Sequence, residues 1–359
     1  GPGNAQLIQP DGRSGLSAGL ADAGQLASGM VLEHSIGMAP GFADPDIGFS
    51  PPTSREEGEA MMARARGNPN FSPLGRANTD MAVSDGKLFV GNFNGFNAYD
   101  ISGDGAPRLV MSVVCPGGQG DVSVVGNLLL MSVEQGRGRR DCGLQGNVAD
   151  ISPDRFRGLR IFDISDISRP RQVGQVQTCR GSHTHSVVKG PEGDGKILVY
   201  NSGTSGVRKT EEMPACIGNV AGDPLTALFR IDIIEIPVDN PAASRIIASP
   251  AVFADEKTGS LAGLGKGGKL VEEGQETSVT NQCHDITVFP TRKLAAGACS
   301  GNGIIFDISD PLNPKRLDAV TDKGFAYWHS ATFNNDGTKV IFTDEWGGGS
   351  RPRCRSYDP

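Results

Sequence analysis

Short apolar runs rich in Val, Ile and Phe recur along the chain from about residue 80 onward, each bounded by Gly, Asn, Asp or Pro. Runs of this kind predict β-strands joined by tight turns. One run has a fixed ending, in which Asp-Ile-Ser closes the strand and a Pro-containing turn leads to a further strand. It occupies residues 95–102, 158–165 and 303–310, with a diverged copy at 228–235. Asp and Ser suit such a turn because their side chains bond nearby backbone amides.

Each repeating unit therefore contains four predicted strands. The first strand begins at a His or Asp, the third ends in Asp-Ile-Ser, and the fourth follows the Pro turn. The five starting positions are Asp80, Asp121, His185, His284 and His329. Four-stranded units around an axis form a β-propeller, so we predict an all-β fold. The chain holds four full units and half of a fifth; a closed propeller of roughly five to eight blades is expected if the natural chain continues.

Some intervals between units exceed the roughly 40–50 residues of a bare blade. We place insertions at residues 134–157, 204–227 and 256–282. Insertions in the loops of one face commonly form a binding surface.

The remaining sequence divides the chain into three predicted parts. The propeller covers residues 78–349, and residues 350–359 form a tail or a truncated continuation. Residues 1–77, rich in Gly, Ala, Pro and Ser, form an irregular N-terminal arm that wraps the propeller. Within this arm, residues 54–66 predict a helix and residues 30–36 a strand against the propeller edge.

Two segments carry a family resemblance. Residues 158–166 (Gly-Leu-Arg-Ile-Phe-Asp-Ile-Ser-Asp) and 310–314 (Asp-Pro-Leu-Asn-Pro) resemble LVIVD-repeat proteins, over about residues 78–349. That family comprises bacterial and archaeal propellers, mostly secreted or surface-attached, and it specifies a fold without an activity. Residues 327–333 and 344–349 resemble a secreted, actinobacterial-type subgroup, whose members carry further repeats beyond this point.

Charge and hydropathy narrow the range of partners. The net charge is −7 and no basic stripe is present, so nucleic acid is not an expected partner. Arg137, Arg139 and Arg140 form the densest basic cluster, which we interpret as a solvated loop. No apolar stretch approaches the ~20 residues of a transmembrane helix, so no membrane span is expected.

The cysteines indicate an extracytoplasmic protein. The chain has seven, and none forms a C-x-x-C pair that would indicate a zinc knuckle or a redox motif. We therefore predict disulfides in a secreted or cell-surface protein, with Cys354 as the unpaired residue.

The repeat also places histidines at one register. Three of only five histidines begin first strands, and aspartates fill the two earlier units. First strands of propeller blades line the central channel, so these side chains are expected to converge. The predicted ligands are His185, His284, His329, Asp80 and Asp121. Imidazole with carboxylate favours a divalent transition metal, Fe, Cu, Mn or Zn, over calcium.

Three further residues belong to this candidate site. His183 lies two positions before His185 and on the same strand face, so it could add a ligand or hold one in place. Asp285 and Glu345 are expected beside the ligands, as supports or at an open coordination position. The alternative is that all of these groups are ordinary polar channel lining, hydrogen-bonded to backbone or water.

Two functions fit this pattern. One is an exported metalloenzyme, a hydrolase, lyase or oxidase, whose metal has an open position. The other is a non-catalytic binding or adhesion propeller with a structural metal or none. Either would take a small-molecule or cell-surface ligand at the channel face, and the sequence does not indicate an oligomeric state.

Overall fold

The structure is a computed structural model. It describes residues 77–345 except 148, 219–222, 224, 270–275, 323 and 325–326, together with 12, 15–17, 23–39, 42, 54, 56, 59–60 and 63.

The described residues form an all-β propeller built from antiparallel meanders. Blade 1 contains β1 (Asn78–Ser84), β2 (Lys87–Asn92), β3 (Gly95–Asp100) and β4 (Arg108–Val114). Blade 2 contains β5 (Gln119–Val125), β6 (Leu128–Val133), β7 (Gly158–Asp163) and β8 (Arg171–Gln177). Blade 3 contains β9 (Thr184–Lys189), β10 (Lys196–Ser202), β11 (Asp232–Pro237) and β12 (Arg245–Ala248).

The later elements follow the same plan. A short hairpin, β13 (Lys266–Lys269) and β14 (Glu276–Val279), precedes blade 4. Blade 4 contains β15 (Asp285–Phe289), β16 (Leu294–Cys299), β17 (Asn302–Asp307) and β18 (Lys315–Val320). The half-blade contains β19 (Trp328–Phe333) and β20 (Val340–Asp344). Single 3₁₀ turns lie at Pro241–Ala243 and Pro290–Arg292. The predicted fold class, with four full blades and half of a fifth, is confirmed.

The Asp-Ile-Ser ending closes the third strand of its blade by local bonding. In blade 1 the Asp100 carboxylate accepts hydrogen bonds from the Ser102 amide and hydroxyl, at 3.0 and 2.6 Å. Its other oxygen pairs with Arg108 at 3.0 Å, across the turn to β4. Blade 2 repeats this with Asp163 and Arg171, also at 3.0 Å. The motif thus fixes both the strand end and the start of the fourth strand.

Apolar faces of neighbouring blades pack against each other. Between blades 1 and 2, Phe96 contacts Phe162 edge-on, with ring centroids 5.0 Å apart. Between blades 2 and 3, Ile161 packs with Ile234, and both side chains are fully buried. Fully burying a side chain of this size stabilises by about 1.5–3 kcal/mol. The alternation of inward and outward side chains along each strand therefore sets how the blades pack. Blade packing in turn positions the ends of the first strands.

Six cysteines form three disulfides, as predicted. Cys115–Cys142 ties the first insertion to the end of blade 1, and Cys179–Cys216 closes the second insertion. Cys283–Cys299 joins the residues just before β15 to the end of β16. Cys354 lies outside the described residues.

The prediction of a strand at residues 30–36 is wrong. No strand pairing among the described residues involves this segment, and Met30 and Val31 are 80% and 86% exposed. Its apolar composition alone did not specify a partner strand for its backbone. Of the predicted helix at 54–66, the described residues Glu56, Glu59, Ala60 and Ala63 are helical, Ser54 lies in a bend, and the rest lie outside the described residues. The division at 77 and 349 stays a prediction.

One point of the arm contacts blade 1. Phe42 is buried, and its carbonyl accepts a hydrogen bond from Asn94 Nδ2 at 2.8 Å. Asn94 follows β2, so this contact places that part of the arm beside the turn between β2 and β3.

The interpretation of the Arg137 cluster as a solvated loop is wrong for two of its members. Arg137 is 7% exposed, and its guanidinium donates to the carbonyl of Phe93 at 2.7 Å. The side chain of Arg139 is 12% exposed and pairs with Asp141 at 2.8 Å. Only Arg140 is exposed. A run of arginines in the sequence does not show which carbonyl and carboxylate groups the folded loop places beside them.

Candidate metal centre

A cavity of about 700 Å³ lies where the first strands of all four blades and the half-blade meet. Each unit contributes two adjacent residues or a close equivalent to its lining. The lining includes Thr79 and Asp80, Gln119 and Asp121, His183 and Thr184, His284 and Asp285, His329 and Ser330, together with Phe93, Thr204, Tyr327 and Glu345. The predicted convergence of first strands on one channel is therefore seen in the structure.

The histidine register differs by a shift in blade 3. His284 precedes Asp285, which pairs with Ala298 of β16, and its own amide donates to the Ala298 carbonyl at 2.7 Å. His183 precedes Thr184 in the same way, and its amide donates to the carbonyl of Ser202 in β10 at 2.7 Å. His183, rather than His185, therefore occupies the position equivalent to His284 in the repeat.

The imidazole of His185 lies away from the cavity lining. Its side chain is fully enclosed, with Nδ1 2.8 Å from Asp121 Oδ2 and 2.8 Å from Ser132 Oγ. β9 begins at Thr184, which lines the cavity, so alternation directs the next residue, His185, to the opposite face, where Ile286 lies in blade 4. His183 precedes the strand, so the expectation that it shares a strand face with His185 is wrong. His185 supports Asp121 from behind, and we leave it out of the proposed ligand set.

His183 and His284 face each other across the junction of blades 3 and 4. Their Nε2 atoms lie 2.6 Å apart. The Nδ1 of His284 lies 2.8 Å from the His329 carbonyl, which can only accept, so this nitrogen carries the proton. The Nδ1 of His183 lies 2.6 Å from Glu134 Oε2 and donates to it by the same reasoning. With both rings neutral and protonated at Nδ1, each Nε2 presents a lone pair to the other, whereas a protonated His183 donates from Nε2 to His284.

Glu134 follows β6 directly and is buried. Its Oε1 accepts hydrogen bonds from the amide and hydroxyl of Thr204, both at 2.7 Å, and from the Ser205 amide at 2.8 Å. Burial raises the pKa of Glu134. The hydrogen bond and charge of His183, together with the hydrogen bonds from Thr204, lower this pKa by more, so the net shift is downward. Glu134 is therefore an ionised acceptor that fixes the orientation and tautomer of His183.

His284 sits at the centre of the histidine group. Burial, followed by the charges of His183 and His329, lowers its pKa to about 3. The ring centroid of His284 lies 4.2 Å from that of His329 and 5.7 Å from that of Tyr327. At neutral pH His284 is thus a neutral imidazole, the form that binds metals.

His329 and Glu345 complete the group on its open side. One donor atom each from His284, His329 and Glu345 lie within 4.8 Å of one another. The Nε2 of His329 is 3.9 Å from Glu345 Oε1, and the two side chains are 41% and 33% exposed. A His-His-Glu cluster of this size could hold a metal, and imidazole with carboxylate suits first-row transition ions.

Three aspartates line the same cavity. Two of their carboxylates accept a hydrogen bond from a backbone amide in the first strand of the following blade. Asp80 accepts from Val122 at 3.0 Å, and Asp121 accepts from His185 at 2.8 Å. Burial and then the charge of Asp121 raise the pKa of Asp80 and of Asp285 to about 6. Burial also raises the pKa of Asp121, but the charge and hydrogen bonds of His185 lower it by more. Asp80 and Asp121 therefore link neighbouring blades, and their role as ligands stays a prediction.

Sequence reasoning missed Glu134, Thr204 and Gln119. Glu134 and Thr204 lie at the start of two predicted insertions, 49 and 21 residues from His183, and no local motif marks them. The one available signal was a Glu directly after β6, a strand that is apolar except for Ser132. Gln119 Nε2 lies 3.1 Å from His183 Nδ1 and comes two residues before Asp121, just outside the register used to find ligands.

Residues 146–178 match the family model of the LVIVD repeat. This segment contains β7, the Asp-Ile-Ser turn and β8, so the repeat and the propeller agree. The more specific resemblance to a secreted actinobacterial-type subgroup stays a prediction. No curated protein matches the chain. No helix among the described residues is long and apolar enough to cross a membrane.

Solved structures resemble the chain only distantly. A hypothetical selenium-binding protein from Sulfolobus tokodaii shares 12% identity at a TM-score of 0.45, over 79% of this chain and 60% of that one. The hydrazine synthase of Kuenenia stuttgartiensis shares 10% at 0.42, over 74% and 61%. A protein of unknown function from Desulfotomaculum acetoxidans shares 12% at 0.41, over 75% and 63%. The match thus spans about three-fifths of the length of these proteins.

Proposed function

We propose that the protein binds one divalent transition-metal ion, Fe, Cu, Mn or Zn, at the mouth of its central cavity. His183, His284 and His329 supply nitrogen ligands, and Glu345 supplies an oxygen. The observation that carries this proposal is the approach of the His183 and His284 Nε2 atoms to 2.6 Å, while each Nδ1 is held by an acceptor. Two lone pairs at this distance repel, so either a proton is shared between the two rings or a metal ion replaces it, and we propose the metal ion.

The surroundings of the histidines fit metal binding. A ligand imidazole is commonly held by a carboxylate or carbonyl on its other nitrogen. Glu134 does this for His183 and the His329 carbonyl does it for His284, at 2.6 and 2.8 Å. Buried channel-lining histidines are hydrogen-bonded too, so this support meets a requirement of the metal site, and metal analysis has to separate the two interpretations.

We further propose that the metal keeps a coordination position open to a small molecule. The partial exposure of His329 and Glu345, and the cavity of about 700 Å³ in front of them, support this. An open position makes a metal-dependent hydrolase, lyase or oxidase chemically accessible. The competing function is a binding propeller with a closed structural site, and the presence of Glu345 as a fourth donor favours it.

Three disulfides and the absence of a membrane-spanning helix among the described residues are compatible with an extracellular protein. We propose that the protein acts outside the cytoplasm, secreted or at the cell surface. Its ligand would then be a small molecule or cell-surface group that reaches the open side of the cavity.

The test is elemental analysis of protein purified without a His tag or chelator, beside two variants. We expect about one equivalent of a transition metal in the unmodified protein and a sharp loss in His284→Ala. His34→Ala is the matched control, because His34 is exposed in the arm, and it is expected to keep its metal. Unchanged metal content in His284→Ala, or no uptake by the unmodified protein after reconstitution, overturns the proposal.

A second measurement separates the open site from the closed one. Protein reconstituted with Co²⁺ is titrated with azide while its visible absorption is recorded. A shift that saturates indicates an open position and favours the enzyme. A spectrum that does not change indicates a closed shell and favours the structural role.

A further inference from the structure

A second cavity, of about 390 Å³, lies where the first two insertions meet, and its lining residues are all distinct from those of the metal centre. Its lining carries Arg155, Arg157, Arg208 and Lys209 as cations, with Glu212 and Asp150 as the anions. The cavity wall thus holds four cationic and two anionic side chains. This local excess of positive charge contrasts with the net charge of −7 of the whole chain.

The two carboxylates are already engaged by other cations. The Glu212 carboxylate pairs with Arg155 at 3.0 Å and with Arg208 at 2.7 Å, one oxygen to each. The exposed Asp150 pairs with Lys209 at 3.2 Å. These pairs account for both acids that line the cavity, which leaves Arg157 without a carboxylate partner among the described residues.

Arg157 also has unused hydrogen-bonding capacity. Its Nε is buried and has no hydrogen-bond partner among the described residues. Its Nη1 donates to the Gly206 carbonyl at 3.3 Å, which is a long bond. Burial, followed by the charges of Arg155 and Arg208, lowers the pKa of Arg157. Glu212 and Glu134 offset the charges of Arg155 and Arg208 only in part. A largely buried guanidinium whose Nε has no acceptor is costly unless an anion joins it.

The surrounding groups are held in fixed positions. Arg155 donates to the carbonyls of Gly136 at 3.0 Å and Asp150 at 2.9 Å, and also to that of Ala149. The Cys179–Cys216 disulfide restrains the insertion that carries Arg208. An anion entering this cavity would therefore meet a positive wall that needs little rearrangement.

We propose that this cavity is a binding site for an oxyanionic group, a phosphate, sulfate or carboxylate, with Arg157 as its principal contact. The planar guanidinium matches two oxygens of such a group, and Arg208 and Lys209 add positive field. The site is separate from the metal centre and does not depend on it. It gives the protein a second recognition point, on the face formed by the insertions.

The test is calorimetric titration of chelator-treated protein with inorganic phosphate, sulfate and acetate at constant ionic strength. We expect saturable binding, weakened about tenfold or more in Arg157→Gln, because a hydrogen-bonded charge pair is lost. Arg169→Gln is the matched control, since Arg169 is exposed in the turn before β8, and it is expected to bind like the unmodified protein. His284→Ala is also expected to bind normally, which separates this site from the metal.

The outcomes discriminate between sources of the anion. Tighter binding of phosphate and sulfate than of acetate assigns a tetrahedral oxyanion, and the reverse order assigns a carboxylate. Absence of saturable binding for all three, or equal affinity in Arg157→Gln, overturns the proposal. If Arg157→Gln does not fold, Arg157→Lys replaces it in the test. Lysine keeps the positive charge but loses the planar guanidinium that bonds two oxygens. Its affinity is expected to fall several-fold, and an unchanged affinity counts against the site.

Discussion

The Nε2 atoms of His183 and His284 lie 2.6 Å apart, although the two residues are 101 positions apart in the chain and belong to different blades. Each imidazole has its other nitrogen bonded to an acceptor on its own side, Glu134 or the His329 carbonyl. A propeller brings such positions together because equivalent strand ends meet at its axis. The relationship is therefore a product of the repeat, and it underlies the proposed metal site.

Glu134 is predicted to tune metal affinity without touching the metal. In Glu134→Gln the acceptor-only carboxylate becomes an amide, so His183 Nδ1 loses a charge-assisted bond and its fixed tautomer. We expect metal affinity to fall about 10–100-fold, as for other supports of ligand histidines. Competition with a chromophoric chelator measures this. Glu192→Gln, at an exposed turn, serves as the control, and an unchanged affinity in Glu134→Gln would contradict the role assigned to Glu134.

The second insertion is predicted to depend on its disulfide. Cys179–Cys216 spans 37 residues and encloses Thr204, which bonds to Glu134. Replacing both cysteines with alanine should lower the free energy of unfolding by about 3–4 kcal/mol, from the loop entropy released in the unfolded chain. Guanidinium denaturation under non-reducing conditions checks this. A loss below about 1 kcal/mol would mean that packing alone holds the insertion.

The Asp-Ile-Ser turns are predicted to make the free energy of unfolding fall at acid pH. The hydroxyl and then the amide of Ser102 lower the pKa of Asp100 to about 2, and the corresponding serines lower the pKa of Asp163 and Asp307. A lowered carboxyl pKa stabilises the folded state above the ordinary value of about 4. That contribution is lost as the pH falls from about 4 toward about 2.

The serine residues of these turns provide the test. The variant carries alanine at Ser102, Ser165 and Ser309. We expect it to be less stable than the unmodified protein at pH 6 and to approach it as the pH falls, because both then lack the ionised turns. Urea denaturation across this pH range measures the gap. A gap that stays constant with pH would show that the serines act through packing or propensity.

The fold followed from the sequence because its signals are local. The Asp-Ile-Ser ending is satisfied by groups within eight residues, such as Ser102 and Arg108 around Asp100, so a short motif specifies a complete turn. Alternation within each strand then defines the buried face. Residues 30–36 lack such local bonding, and the strand predicted there is wrong. Their apolar composition does not show which strand, if any, their backbone would pair with.

The candidate site was predicted in outline but not in register. His284, His329 and Glu345 come together as the repeat indicates, and Asp80 and Asp121 line the same cavity. In blade 3 the apolar run after His185 resembled that after His284, but the ladder begins at Thr184, before His185, whereas in blade 4 it begins at Asp285, after His284. The residue at which a strand begins is fixed by pairing with the neighbouring strand, and the composition of the apolar run does not reveal it.

The most direct test of the metal centre is a crystal of reconstituted protein measured at the absorption edge of the bound metal. We predict one anomalous peak about 2.0–2.2 Å from the Nε2 atoms of His183 and His284, with His329 next to it. The two histidine rings would then separate slightly to admit the ion. Absence of a peak at these atoms, with the metal bound elsewhere or not at all, would contradict the central claim and leave the histidines as channel lining.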